Sequence, residues 1–302
     1  MIKSIHAKTI LSPLKKDPFF GISYSMNLYR GCQHQCIYCD SRSKCYQIAD
    51  FSDILMKENA IDLLEKELKK KKKGTIATGS MNDCYMPVEE EIGLTRKALS
   101  VIAKNKFPVH VLTKSDLVLR DIDLLSEISK TYAAVSFTIT SADDGLSKKI
   151  EPSAPVSSRR FAAMKKFSDK GIYTGVIMTP ILPYITDSEE NIIGIVEKAA
   201  ESGAKYILSW MGLTMREGQR EYFYNKLDEL FPGLKEKYIL LYGDQYGCSV
   251  PEHKKLENIF RDECRKHNIA TRMIFYHPKE VNKKISEFFM VLLHEIDCKE
   301  CY

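Results

Sequence analysis

Short apolar runs alternate with amphipathic stretches along most of the chain. The runs 24–29, 75–78, 109–113, 133–139, 172–178 and 205–209 are mostly rich in β-branched or aromatic residues, which predicts strands. Between them, apolar positions recur every three or four residues, which predicts helices. Ile54, Ile61, Leu64 and Leu68 share one face, and Ile92, Leu99 and Ile102 share another. Leu125 and Ile128 follow Asp121, which is placed to cap a third helix. Phe161, Met164 and Phe167 mark a fourth, ended by Gly171 in a left-handed turn. The fifth has the clearest pattern. Asp187 and Glu190 read as a capping box, Ile192, Ile193, Val196, Ala199 and Ala200 form the buried stripe, and Gly203 follows. A sixth helix is predicted over 216–230, and the runs 238–242 and 271–276 read as further strands.

Strand followed by helix, repeated, implies a parallel sheet with right-handed crossovers. Six such units are too few for a closed eight-stranded barrel. The prediction is therefore α/β, a partial (β/α)6 TIM-like barrel over residues 1–210, with a mostly helical extension over 211–302 packed on it. Ligands are expected at the carboxyl ends of the strands.

Composition narrows the function classes. The formal charge of +5 is a mild excess that neither demands nor forbids a nucleic-acid partner, because phosphate binding needs clustered charge. The densest run, Lys69 to Lys73, reads as the solvated end of a helix. No stretch of about 18 apolar residues is present, and no signal-peptide pattern opens the chain. Nine cysteines without an export signal point to free thiols or metal ligands in a reducing compartment. The expected location is the cytoplasm.

The informative segment is Asn27-Leu-Tyr-Arg-Gly-Cys32-Gln-His-Gln-Cys36-Ile-Tyr-Cys39-Asp40. It follows the first predicted strand and so falls at the functional edge of the sheet. Cys32, Cys36 and Cys39 are spaced to bind three corners of an iron–sulfur cube. The fourth iron then lacks a thiolate, which leaves it open to a ligand. Two other arrangements compete: a zinc site completed by His34 or a distant cysteine, and a closed four-cysteine electron carrier using Cys45. The three-then-two gap favours the open cluster, because zinc knuckles pair two short ligand couples.

This triplet, with Tyr38 as the aromatic before its last cysteine, resembles the radical S-adenosylmethionine superfamily. More of the chain is similar to the spore photoproduct lyase-like group, also called DNA repair photolyase-like. The matching pieces are the cysteine segment, Asp83-Cys-Tyr-Met-Pro-Val-Glu89, Thr113-Lys114-Ser115, Arg120-Asp-Ile-Asp-Leu-Leu125, Ser136-Phe-Thr-Ile-Thr140, Glu151-Pro-Ser-Ala-Pro155 and the stretch from Gly171 to Asp187. They span roughly the first two hundred residues.

The resemblance implies a [4Fe–4S] cluster on Cys32, Cys36 and Cys39, with S-adenosyl-L-methionine on the open iron. Electron transfer to the sulfonium then yields a 5′-deoxyadenosyl radical that takes a hydrogen atom from substrate. It also implies a one-electron reductant such as a flavodoxin or ferredoxin, and a nucleic-acid substrate with lyase-type repair of a lesion. A small molecule, peptide or RNA substrate is the alternative, and a non-catalytic electron carrier or zinc module is the alternative of another class. By the same resemblance Tyr38 lies near the adenine. Gly79 and Ser80 let backbone meet the methionine amino group. Lys114 and Ser136 contact the carboxylate and ribose, and Glu151 binds ribose or substrate. Ser136 reads equally as a barrel-interior serine, and Glu151 as a solvated loop carboxylate. Arg30 is placed either to offset cluster charge or to make a sheet-edge salt bridge. Arg42, Lys44, Arg159, Arg160, Lys165 and Lys166 are candidates for a phosphate-binding rim.

Two positions depart from the group. Its repair enzymes carry a hydrogen-donor cysteine after the second strand, where this chain has Met81; Cys84, three residues on, is the candidate catalytic relay or else a small buried hydrophobe. They also carry a tyrosine after the third cluster cysteine, where this chain has Asp40. Cys298 and Cys301, with His294, form a second candidate pair or a disordered tail; Cys248 and Cys264 have no readable partner.

Overall fold

The computed structural model describes residues 2–278 other than 16, 49 and 52. The strands, in chain order, are β1 (Ile2–Ile5), β2 (Leu11–Pro13), β3 (Tyr24–Met26), β4 (Tyr29–Arg30), β5 (Ile54–Lys57), β6 (Ile76–Thr78), β7 (Val109–Thr113), β8 (Ala133–Thr138), β9 (Tyr173–Met178), β10 (Tyr206–Ser209), β11 (Gly212–Thr214) and β12 (Gly247–Ser249). The α-helices are α1 (Ala60–Leu68), α2 (Glu89–Ile92), α3 (Leu94–Lys104), α4 (Ile122–Ser129), α5 (Asp144–Ile150), α6 (Ser157–Asp169), α7 (Glu189–Glu201), α8 (Gln219–Leu230), α9 (Leu234–Tyr242) and α10 (His253–Lys266).

The main sheet runs β10-β9-β8-β7-β6-β3-β2. Its six strands from β3 to β10 are parallel neighbours in sequence order, and β2 adds an antiparallel edge on β3. This is the open (β/α)6 arrangement that six strand–helix units imply. β8 is buried along its whole length, as a strand covered on both faces must be. The stripes of α1, α3, α4, α6 and α7 close one core against the sheet: Leu64, Leu99, Leu125, Phe167 and Ile195 all lie in it. On the other side, Phe20, Met273 and Phe275 pack with Leu112, Ile177 and Tyr206. Segments from near both ends of the chain thus fill the concave interior.

Several elements differ from the sequence pattern, each for a local reason. The run 24–29 splits, because Tyr29 and Arg30 leave β3 and pair antiparallel with Met56 and Leu55. Ile54 therefore belongs to β5 and not to the first helix, which starts at Ala60. Gly93, at φ +63°, separates α2 from α3. The cap of α7 is Ser188, whose Oγ accepts from the Asn191 N–H at 3.2 Å, so the capping signal lies one residue beyond Asp187. Asp121 precedes α4 without capping it; its carboxylate is taken by Arg96, Arg120 and Tyr85. The run 238–242 is helical, because Tyr238 and Tyr242, four apart, bury together against Phe223. The run 271–276 forms no strand; Ala270 makes a single parallel bridge to Tyr206.

The stretch from Leu213 to Cys248 wraps back over the cysteine segment. Cys36, Ile37 and Tyr38 share a core with Leu213, Met215, Phe223, Leu227 and Tyr238. No helix among the described residues is long and apolar enough to cross a membrane. Cys298, Cys301 and His294 lie outside the described residues.

Candidate active site

The carboxyl ends of the six parallel strands all open on one cavity of about 300 Å³. After β3 the chain supplies Cys32, Cys36, Tyr38 and Cys39. After β6 it supplies Gly79, Ser80 and Met81. The ends of β7, β8, β9 and β10 bring Thr113 and Lys114, Thr138, Thr179 and Trp210. The volume suits a small organic ligand. Trp210 is 40% exposed, so the cavity is open on that side.

The cysteine segment is held in shape from both sides. The Cys32 N–H donates to the Phe51 carbonyl at 3.1 Å, and Ile37 N–H to the Ile150 carbonyl at 3.0 Å. Ser153 N–H donates to the His34 carbonyl at 3.1 Å. Gln35 turns the loop at φ +57° and donates from Nε2 to the Cys32 carbonyl at 3.1 Å. Gly31, at φ +81°, fits where a Cβ would lie 2.5 Å from the Asp53 carbonyl. Gly79 is bound more tightly still: at φ +86° its Cβ would meet the Leu112 carbonyl at 1.9 Å. The strand top at β6 therefore admits only glycine.

Asp83 ties the segment to the sheet. Its carboxylate accepts from Thr113 Oγ1 at 2.7 Å, Lys114 N–H at 2.6 Å and Tyr85 N–H at 2.9 Å, and meets His34 Nε2 at 3.1 Å. Burial opposes its charge, but His34 and these donors outweigh burial and hold the carboxyl well below the usual carboxylate range. Burial also works to lower the Lys114 ammonium pKa, yet Cys36 and Glu151 raise it overall, so Lys114 is a cation beside the thiols. Its Nζ lies 5.9 Å from the Tyr38 ring centroid.

The remaining predicted residues divide. Tyr38, Gly79, Ser80 and Lys114 share the cavity with the three cysteines. Ser136 does not; its Oγ lies 2.7 Å from His110 Nε2 and 2.6 Å from Tyr206 Oη, fully buried inside the sheet's concave face. It is the barrel-interior serine that the sequence also allowed. Glu151 is not a solvated loop residue but is 1% exposed, paired with the fully buried Arg160 at 2.5 Å, and it accepts from Tyr38 Oη. It steadies the cavity wall from behind. Cys84 is sealed in the main core, with Sγ 3.1 Å from Thr78 Oγ1, and lines no part of the cavity. Arg30 makes no salt bridge among the described residues and donates to the Tyr46 carbonyl at 2.8 Å.

The basic rim does not assemble. Arg160 is buried on Glu151, Arg159 pairs with Asp116, Lys44 with Glu217 and Lys165 with Asp169. Arg42 stacks 3.8 Å above the Tyr222 ring. Asp83 opens one of the matching sequence pieces, but its role as a hub was not read from it; Trp210 and Thr214, as cavity walls, carry no motif of their own.

The donor set can be tested against an iron–sulfur cube. Burial pushes the Cys32 thiol up to about 12 and raises Cys36 and Cys39 as well, with Lys114 opposing it at the latter two. Such thiols become thiolates when a metal displaces their protons. Soft sulfur ligands suit iron–sulfur binding. Neither His34 nor Cys45 is available as a fourth ligand, and no distant cysteine among the described residues lines the cavity. His34 has Nε2 on Asp83 and Nδ1 3.4 Å from the Ser153 carbonyl. Cys45 is exposed, does not line the cavity, and has Sγ 3.0 Å from Ser43 Oγ. Three thiols with an open side fit the cluster better than they fit zinc or a closed carrier.

Comparison with known proteins agrees with this reading. The Radical SAM superfamily model matches residues 26–214. An uncharacterised protein of Methanocaldococcus jannaschii is 37% identical over 191 residues, 62% of this chain and 70% of that protein. An uncharacterised protein of Mycobacterium tuberculosis is 27% identical over 245 residues, 78% of this chain and 72% of the other. Among solved structures, spore photoproduct lyase complexed with dinucleoside spore photoproduct superposes with a TM-score of 0.67 at 16% identity, over 88% of this chain and 79% of that one.

Proposed function

This chain belongs to the radical SAM superfamily, and from that premise we propose that Cys32, Cys36 and Cys39 hold its cluster and that its substrate is a nucleic-acid strand. The cofactors of the family are a [4Fe–4S] cluster and S-adenosylmethionine. When bound, they supply an electron to the sulfonium and a 5′-deoxyadenosyl radical that abstracts hydrogen from substrate.

The observation that carries the reading is the meeting of three cysteines, Cys32 and Cys36 buried and Cys39 half-buried, with Lys114 and the Gly79 turn in one cavity at the strand ends. Lys114 places a fixed positive charge where a carboxylate would bind. Gly79 and Ser80 bring main chain to the cavity without a side chain in the way at Gly79. The Tyr38 ring forms one wall, fixed by its bond to Glu151. The cover formed by the stretch from Leu213 to Cys248 shields the cysteine segment from water, and Trp210 borders the side left open for substrate. The chemistry of the family also calls for an external one-electron reductant.

Spore photoproduct lyase has been solved with a dinucleoside lesion, which supports a lesion-bearing strand as the substrate to test first. One observation favours a different radical reaction, on RNA, a peptide or a small molecule. The cavity wall carries the Met81 thioether where the repair enzymes place a thiol, and Cys84 is sealed from it. The test is deuterium transfer into 5′-deoxyadenosine from position-labelled oligonucleotides, with and without a pyrimidine photoproduct, under anaerobic reduction. Label appearing only from the lesion supports repair. 5′-Deoxyadenosine release with no label from any strand sinks the nucleic-acid reading and leaves the radical chemistry standing.

A further inference from the structure

A second recess of about 220 Å³ adjoins the main cavity, and Met81 and Asn82 line both. Its walls include Arg30 from β4 and Lys57 from β5, brought together by the antiparallel pairing of those strands. Among the described residues neither cation pairs with a carboxylate. Lys57 Nζ donates to the Asn27 carbonyl at 2.7 Å, and Arg30 Nη2 donates to the carbonyls of Tyr46 and Gln47 at 2.8 and 3.4 Å. Both side chains are only partly exposed. Burial, and then the charge of Arg30, pulls the Lys57 pKa below the usual ammonium value, which shows that the two charges repel.

Two half-buried cations side by side cost stability unless an anion joins them. The carbonyls that hold them are neutral, so the charge is left for a ligand. Asn27 Oδ1 is buried without a hydrogen-bond donor and Asn27 lines the same recess. A ligand that fits therefore offers an anion with a hydroxyl or N–H nearby. A nucleotide has both: phosphate for Arg30 and Lys57, and sugar or base donors beside it. Arg suits phosphate through its planar fork and Lys as a point charge.

We propose that Arg30, Lys57 and Asn27 form a phosphate subsite that seats a backbone phosphate of the substrate strand next to the radical cavity. This rests on the nucleic-acid reading above and gives that reading a contact point. A phosphate here fixes where the strand enters, while the neighbouring nucleotide reaches past Met81 and Asn82 toward the thiols. Phosphate contacts position a strand without reading its sequence.

The test uses the reconstituted full-length protein and a fluorescein-labelled dT8 strand, with binding followed by anisotropy across salt. Lys57→Gln and Arg30→Gln are each expected to weaken dT8 binding at least five-fold. Each should also flatten the log–log salt slope by about 0.7, the share of one single-strand phosphate contact. Lys57→Arg should keep both. Competition by dTMP as strong per molecule as by unlabelled dT8 assigns the subsite to a free nucleotide; competition by dT8 alone assigns it to a strand. Equal binding and slope in wild type and both Gln variants overturns the proposal. So does displacement of dT8 by hexaglutamate as readily as by dT8 itself, which would mark a generic acidic-peptide surface. Melting temperature and 5′-deoxyadenosine release without substrate are measured in parallel. Their retention separates loss of this subsite from misfolding or loss of the radical cofactors; dT8 bound nowhere by wild type would instead reject the nucleic-acid reading itself.

Discussion

Replacing Arg160 by Met removes the cation of the buried pair behind Tyr38. Arg160 and Glu151 are 0% and 1% exposed and 2.5 Å apart. Arg160 also donates to the Pro155 carbonyl at 2.8 Å and the Thr138 carbonyl at 2.9 Å, so it joins the loop after α5 to the end of β8. The variant leaves Glu151 charged in the interior with Lys114 as its remaining cationic neighbour. Breaking a buried pair this way costs about 3–5 kcal/mol. With an unfolding entropy of about 2.1 cal/mol/K per residue, 302 residues give about 0.63 kcal/mol/K. The expected drop in Tm is therefore about 6 °C near pH 8 by calorimetry. Burial raises the Glu151 pKa, but in the native protein Arg160, then Lys114, outweigh it and hold the carboxyl low. Its stabilisation is thus present above its unfolded pKa of about 4.3 and fades as pH falls. In Arg160→Met the sign reverses: the folded pKa rises, so the penalty is full at high pH and shrinks as pH falls toward 5. Glu151→Gln combined with Arg160→Met should recover most of the loss and still release 5′-deoxyadenosine. A single variant as stable as wild type, or a penalty that grows on acidification, would refute the assigned roles. A double variant that is stable but unable to cleave S-adenosylmethionine would return Glu151 to the cofactor.

Two further outcomes follow from the same site. Asp83→Asn keeps one acceptor for donors that now share a charged carboxylate, and should lower stability by about 3 kcal/mol at pH 7. Because the Asp83 carboxyl is held low, its contribution is full above about pH 4 and lost on further acidification, so the gap to wild type in thermal melts should close below that pH. Cys84→Ala removes a sulfur from a sealed position and should cost about 1 kcal/mol while leaving both cofactor cleavage and product formation within two-fold of wild type; product loss with cleavage intact, read by chromatography, would restore the relay.

The periodicity of strands and helices carried the sheet order, because each parallel strand is a short buried run followed by an amphipathic return. It did not carry β2 or the pairing of β4 with β5, where two to four residues are too few to show a period. It also mistook 238–242, where an apolar run hides a helical pair, Tyr238 and Tyr242, flanked by the exposed Ile239, Leu240 and Leu241. The cysteine loop was legible because three thiols within eight residues point to a common ligand. Asp83, Glu151 and Arg160 were not legible in their roles. A carboxylate buried on a partner nine or more residues away has the same sequence signature as one in solvent. Ser136 was placed on the right strand, but whether it reaches the cavity or lies in the layer below was not legible, since alternation tells the face and not the depth.

The central claim is an iron left without a protein thiolate. Anaerobically reconstituted protein, reduced with dithionite, should bind about four irons and release 5′-deoxyadenosine from S-adenosylmethionine. Each of Cys32→Ala, Cys36→Ala and Cys39→Ala should abolish that release, and Cys45→Ala should leave it unchanged. Loss of both iron and release in Cys45→Ala, as for the other three, would mean a closed four-thiolate cluster and would contradict the account.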